Sequence, residues 1–302
     1  MPFKTIFHAA FAALLMLFQS AAESGPIRDA IQTRRAGNDA SVQIERNINY
    51  GADRKQQYDV YAPKGASNAP VIFMVHGGAW RIGSKSSDDV VKEKVARWVS
   101  QGFVFISVDY RLLPETNPLE QANDVARALA HAQNHAARYG ADADQFILMG
   151  HSSGGHLVSL LTANPQRARA LGARNWLGTV SLDSAALDVE AIMRAPHHSL
   201  YGDAFGETQN PLWREASPAA VLAADARPML LICSSTRKQD SCAQAHNHVK
   251  RVQAIGGRAE VQEVALNHMD INATLGADSD YTRKVEQFMA SLSRDVTAKL
   301  TR

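Results

Sequence analysis

The feature that most constrains this chain is a repeated alternation between short, continuously apolar runs and longer amphipathic stretches. Residues 71–75, 103–108, 146–149, 177–182, 229–233 and 261–266 are the apolar runs. Runs of this length without a polar alternation suit strands buried on both faces. Between them, residues 119–139 place Leu119, Ala122, Ala126, Leu129 and Ala130 on one helical face, and residues 243–255 behave in the same way. Strand and helix therefore alternate, which predicts an α/β fold with a mostly parallel sheet and helices on both faces. Two further strands, over 42–50 and 57–61, are separated by Gly51-Ala52-Asp53 and predict an antiparallel entry into that sheet. Residues 188–225 interrupt the alternation and are rich in Pro, Ala, His and aromatic residues. They read as a cap-like insertion over the carboxyl edge, where such sheets bind ligands.

Nothing in the charge balance points to a polyanionic partner. Lys and Arg number 32 against 30 acids, a net charge of +2, with no long block of like charge. Neither a nucleic-acid arm nor a basic membrane patch is expected. The first residues differ from the rest: Lys4 precedes an apolar run, and Gln19-Ser20-Ala21-Ala22 supplies the small residues that a signal peptidase reads. Residues 1–22 are therefore expected to be a signal peptide, leaving a catalytic domain over 23–302 in the periplasm or outside the cell. The apolar run is shorter than the ~20 residues of a spanning helix, so no membrane span is expected after cleavage. The two cysteines, Cys233 and Cys242, would then meet an oxidising compartment, and a bond between them is expected, with two unpaired thiols as the alternative.

Two motifs carry chemistry. Gly150-His151-Ser152-Ser153-Gly154 lies between an apolar strand and a helical stretch, which is the context that gives G-x-S-x-G its meaning. A tight strand-to-helix turn strains the serine, glycines leave room for neighbouring backbone, and Ser152 is exposed at a helix amino end that favours negative charge. Upstream, His76-Gly77-Gly78-Ala79-Trp80 follows directly on the strand 71–75. Adjacent glycines let main-chain N–H groups face a substrate oxygen, as an oxyanion hole requires.

These motifs, with Val108-Asp109-Tyr110-Arg111-Leu112 and Pro114-Glu115 between them, resemble the α/β-hydrolase superfamily. The likeness is to the branch holding carboxylesterases, hormone-sensitive-lipase-like esterases and kynurenine formamidases, and it covers roughly residues 42–290. The resemblance implies an α/β-hydrolase fold and a triad in the order Ser, Asp or Glu, His. The matching positions are Ser152, Asp240 and His268, with the N–H groups of Gly77, Gly78 and Ser153 as oxyanion donors.

The histidine also follows from the residues alone. His268 comes just past the last apolar strand, whereas His246 and His248 stand two apart on a helix and face different ways. His197 and His198 fall in the insertion, and His151 sits inside the serine turn. For the acid, Asp240 has the expected strand before it, but Ser234-Ser235-Thr236-Arg237 replaces the glycine turn common in the family. Asp183, after the preceding strand, competes with it, while Asp225 falls before its strand and Asp270 is too near His268. Cys233 and Cys242 bracket Asp240, which favours it.

The expectation is a serine carboxylesterase acting on small-molecule esters through an acyl-enzyme, with no cofactor and no metal. Trp80, Tyr201, Phe205 and Trp213 are candidate pocket residues. A kynurenine-formamidase-like amidase and a non-catalytic binding protein on the same fold are the alternatives.

Overall fold

The computed structural model describes residues 41–238 and 241–301. The expected leader and Asp240 lie outside them. Eight strands form one sheet in the order β1-β2-β4-β3-β5-β6-β7-β8. They are β1 (Val42–Asn49), β2 (Gln57–Pro63), β3 (Ala69–Val75), β4 (Val104–Val108), β5 (Ala141–His151), β6 (Gly178–Leu182), β7 (Met229–Ser234) and β8 (Ala259–Val264). Each expected strand overlaps one of these. β2 pairs antiparallel with β4, and from β4 to β8 every pairing is parallel.

The helices are α1 (Asp88–Trp98), α2 (Pro118–Asn134), α3 (Ser153–Ala163), α4 (Gln166–Arg169), α5 (Val189–Met193), α6 (Ser199–Phe205), α7 (Pro211–Glu215), α8 (Ser241–Ala254), α9 (His268–Ala273), α10 (Asp280–Ala290) and α11 (Arg294–Leu300). The expected helix over 119–139 is shorter than its apolar period. It starts with Asn117 accepting from the N–H groups of Leu119 and Glu120, and ends at Asn134. A 3₁₀ turn, Ala136–Tyr139, then leads to Gly140 at φ 66°, a conformation in which glycine carries no side-chain penalty.

β3, β4, β6 and β7 are buried at every residue, as strands covered on both faces must be. Phe73, Phe146, Leu129, Leu157 and Leu160 belong to the main core, and a smaller cluster of Leu187, Met229, Leu231 and Val249 lies under α8. α3 is buried all round, so it has no polar face.

The strand order reverses between β3 and β5, with the chain leaving β3 for β4 on one side and returning to β5 on the other. Ligands bind at such a switch point, beyond the carboxyl ends of the strands. Val75 of β3 pairs with Gly150 of β5, and His151 of β5 pairs with Leu182 of β6. Gly77, Ser152 and Asp183, just past those positions, are therefore brought to one edge.

Candidate active site

The β5–α3 turn is strained at one residue. Ser152 has φ 53° and ψ −117°, a region that a non-glycine residue enters at a cost and holds only when its surroundings dictate it. The surroundings here are backbone. A Cβ on Gly150 would collide with the Gly154 carbonyl, and one on Gly154 with the carbonyls of Val75 and His76. The Ser152 N–H is committed to the Leu182 carbonyl at 2.9 Å. That leaves the N–H of Ser153, first residue of α3 and one of the donors that a helix start cannot satisfy internally.

His268 opens α9, whose first turn is fixed by Asn267 accepting from the N–H groups of Met269 and Asp270. Its Nε2 lies 3.0 Å from Ser152 Oγ and its Nδ1 lies 2.6 Å from Asp183 Oδ2. The carboxylate assigns the tautomer: Nδ1–H donates to Asp183, and Nε2 is left to accept from the serine hydroxyl. The preference for Asp240 is corrected by this geometry. Asp240 lies outside the described residues, and the carboxylate against Nδ1 is Asp183, the competitor at the end of β6. Asp183 sits at φ 48°, a left-handed conformation that aspartate tolerates better than most residues.

Asp183 is fully buried. Its Oδ1 accepts from the Ser234 N–H at 2.9 Å and Ser241 Oγ at 2.6 Å, and its Oδ2 accepts from Arg237 Nη1 at 3.0 Å. Burial pushes its pKa up. The hydrogen bonds from His268, Ser241 and Ser234, with the Arg237 charge, outweigh burial and hold the carboxyl far below the usual carboxylate range. Cys233 and Cys242 are joined, with Cα atoms 5.1 Å apart. The loop they close carries Ser234, Arg237 and Ser241, so the bond brackets the donors to the acid.

The glycine loop after β3 borders the serine. A Cβ on Gly77 would stand 3.0 Å from Ser152 Cβ, and Gly78, at φ 126°, turns so that its carbonyl accepts from the N–H groups of Arg81 and Ile82. Ala79 and Trp80 follow at φ 52° and 61°. Two successive left-handed residues require support, and the Trp80 carbonyl receives it from Leu113 N–H at 2.9 Å and Gln121 Nε2 at 2.8 Å. The Trp80 indole donates to His156 Nδ1 at 3.1 Å, while His156 Nε2 donates to the Ala216 carbonyl at 2.7 Å.

At the loop's base, His76 stacks on Tyr110 with ring centroids 4.5 Å apart and donates from Nδ1 to the Gly77 carbonyl at 2.7 Å. Its Nε2 lies 3.2 Å from Asp109 Oδ1. Tyr110 Oη donates to the His76 carbonyl. Sequence reasoning used Asp109 and Tyr110 only as marks of resemblance, and missed Gln121 and His156 altogether. A polar residue at a buried position of α2 was the available signal for Gln121.

Comparison with known proteins adds the lineage. The BD-FAE family model matches residues 58–250. The chain belongs to the BD-FAE family. Among its relatives, Esterase LipC of Mycobacterium tuberculosis is 31% identical over 236 residues, covering 73% of this chain and 58% of LipC. Isoprenylcysteine alpha-carbonyl methylesterase ICME of Arabidopsis thaliana is 24% identical over 239 residues, covering 73% of this chain and 55% of ICME. This BD-FAE chain thus spans a little over half the length of either relative. Esterase B from Lactobacillus rhamnosis superposes with a TM-score of 0.68 at 20% identity, covering 97% of each chain. A structure titled Bacterial Heroin Esterase gives 0.63 at 20% identity, covering 91% of each. The fold is that of the α/β-hydrolases.

The other expected residues of this BD-FAE chain separate by position. Trp80, Phe205 and Trp213 are buried and Tyr201 is half-buried. Trp80, Tyr201 and Phe205 form one aromatic cluster, with centroids 5.1 Å apart for Trp80–Phe205 and 6.0 Å for Trp80–Tyr201. Trp213 instead donates to the carbonyls of Phe205 and Gly206 at the end of α6. His151 packs 4.6 Å from the His268 ring and donates from Nε2 to the His268 carbonyl at 2.9 Å. Burial, then the neighbouring His268, drives the His151 pKa well below the usual histidine range, so it is neutral. His246 is exposed beside Glu263, and Asp225 pairs with Arg169 at the surface.

Proposed function

We propose that the protein is a serine carboxylesterase that hydrolyses small carboxylic esters through an acyl-enzyme, with Ser152 as nucleophile, His268 as base and Asp183 as the acid. One observation carries the reading: a single hydrogen-bonded line runs from Ser152 Oγ through the His268 ring to Asp183, at 3.0 and 2.6 Å. His268 Nε2 takes the serine proton as Oγ attacks the ester carbonyl, and the imidazolium so formed is stabilised by the ionised Asp183. The N–H groups of Gly77, Gly78 and Ser153 hold the oxyanion. His268 returns its proton to the leaving alcohol, and then activates water to release the acid. The names of LipC and ICME, an esterase and a methylesterase, agree with ester chemistry.

In the test, Ser152→Ala is expected to fold normally, to lose labelling by a fluorophosphonate probe and to lose turnover of a short p-nitrophenyl ester by about 10⁶-fold in kcat. Turnover near the wild-type rate in that variant would overturn the reading. Substrates of graded acyl length would then define the acyl preference. Export is part of the proposal, supported by the composition of residues 1–22 and by a disulfide that suits an oxidising compartment. Protein recovered from the periplasm should begin at Glu23, and an intact Met1 there would contradict cleavage.

A further inference from the structure

The helix that carries the base is short, and a lysine holds its far end. α9 runs only from His268 to Ala273, and Asn267 fixes its first turn. At the other end, the Asn272 carbonyl accepts from Lys94 Nζ of α1 at 2.6 Å, and Asn272 Nδ2 donates to Asp89 Oδ2 at 3.0 Å. Lys94 Nζ also donates to the Asp89 carbonyl at 2.9 Å. Two residues of α1 thus grip one residue of α9 by its backbone and its side chain. Just beyond, Gly276 at φ 107° lies against α1, where a Cβ would stand 2.5 Å from the Glu93 carbonyl oxygen.

Packing α9 on α1 does not in itself call for a lysine. Lys94 is 1% exposed and Asn272 is fully buried. Taking an ammonium out of water is costly, and burial pulls the Lys94 pKa down to about 7, against the opposing effect of Asp89 and Glu93. Asn272 Oδ1 is buried with no partner among the described residues, which is a second cost. An apolar side chain of similar volume would join the two helices with a smaller penalty. Apolar contact is non-directional, however, whereas a hydrogen bond fixes both distance and angle. The position of α9 is what the lysine supplies.

His268 stands at the opposite end of the same short helix. Its carbonyl accepts from His151, and its ring lies between Ser152 and Asp183. Six helical residues span about 9 Å, so a slip at Asn272 reaches the imidazole within two turns. We infer that Lys94 is a positioning residue: anchored on Asp89, it pins Asn272 and so sets where α9 presents His268 to Ser152. The inference rests on the Ser152–His268–Asp183 reading and adds to it a residue of α1 that has no hydrogen bond to any of the three.

The experiment compares wild type, Lys94→Met, Asn272→Ala and Ser152→Ala on the p-nitrophenyl and ethyl esters of one short acid. Turnover is expressed per site labelled to completion by a fluorophosphonate, and folding is followed by thermal unfolding. p-Nitrophenolate leaves without a proton, whereas ethoxide needs one from His268, so a displaced base penalises the ethyl ester more. Lys94→Met should fold with a Tm at or above that of wild type. Its kcat should fall about tenfold on the p-nitrophenyl ester and about 100-fold on the ethyl ester, the latter being the scale of a 1 Å misplacement, with KM within about threefold. Should Lys94→Met fail to fold, Asn272→Ala, which frees the Asp89 contact and keeps the lysine, should show the same ethyl-ester bias at smaller size. A merely structural role would lower Tm and depress both esters alike. Equal losses on the two esters, or kcat within about twofold of wild type on both, in a folded variant overturns the inference. Retained turnover in Ser152→Ala removes the triad reading itself, whereas a dead Ser152→Ala beside an unbiased Lys94→Met removes only the role given to Lys94.

Discussion

The two halves of the site are built by different means. On the serine side, β5, the turn and α3 are contiguous in sequence, and backbone packs against backbone: Gly150 against Gly154, Gly154 against the end of β3, Gly77 against the His151 carbonyl. On the acid side, Asp183 follows β6, its donors come from the end of β7, the loop after it and the start of α8, and the histidine they serve follows β8. Steric closeness of glycines fixes the first half. A buried charge, four donors and one covalent bond fix the second. The contrast predicts that the serine half fails abruptly when any atom is added, whereas the acid half weakens by degrees as donors are removed.

Gly154→Ala tests the abrupt half. The new methyl group would overlap the backbone carbonyls of Val75 and His76, so the turn that carries Ser152 must shift. Displacement by about 1 Å already costs ~100-fold in rate, and kcat on a short ester should fall at least that far. A variant that retains a tenth or more of the wild-type kcat would show that this turn is less constrained than its packing implies.

Opening the Cys233–Cys242 bond tests the graded half. The closed loop is short, so the chain-entropy model gives a stability loss of about 2 to 3 kcal/mol. Because the loop holds Ser234, Arg237 and Ser241 against Asp183, reduction should lower kcat more than it raises KM. Urea unfolding and steady-state kinetics with and without a reductant measure both. Unchanged kinetics after complete reduction would mean that the loop holds its shape without the bond.

A smaller effect should be common to both halves. His156, under the glycine loop, has its pKa lowered to about 4, chiefly by burial against a partly compensating hydrogen bond to Ala216. His248, under α8, is lowered to about 4 by burial and by Arg251. Between pH 4 and the ordinary histidine value of about 6.5, the unfolded chain binds more protons than the native one, so stability declines as pH falls through that window. Thermal unfolding from pH 7 to pH 4.5 should show a steady drop in Tm. His248→Gln should flatten it, and an equal slope in that variant would contradict neutral burial.

The same contrast explains what the sequence alone conveyed. The central strands β3 to β7 were legible because each is a mostly apolar run, and the elbow was legible because its glycines and serine are neighbours in the chain. His268 was legible because few histidines follow a late strand. Asp183 was weighed and set second, since chain order favours an acid after β7 and two cysteines bracket Asp240. The departure from the glycine turn after β7 was the informative sign. Ser234 and Arg237 stand there as donors to a carboxylate supplied by the neighbouring strand, and pairings across β6 and β7 are invisible to local pattern. For Trp80, aromatic character alone leaves pocket lining and core packing equally open; the residue is buried and its indole donates to His156 beneath the strained glycine loop.

The central claim is that the acid comes from the end of β6 and is cradled by the loop after β7. Its most direct test is the kcat of Asp183→Asn and Asp240→Asn measured side by side, with folding of each checked by thermal unfolding. Loss of the acid's charge and of the correct histidine tautomer costs about 10⁴-fold in a serine triad, so Asp183→Asn should fall by that order while Asp240→Asn stays within about tenfold of wild type. A crippled Asp240→Asn beside an active Asp183→Asn would contradict the account.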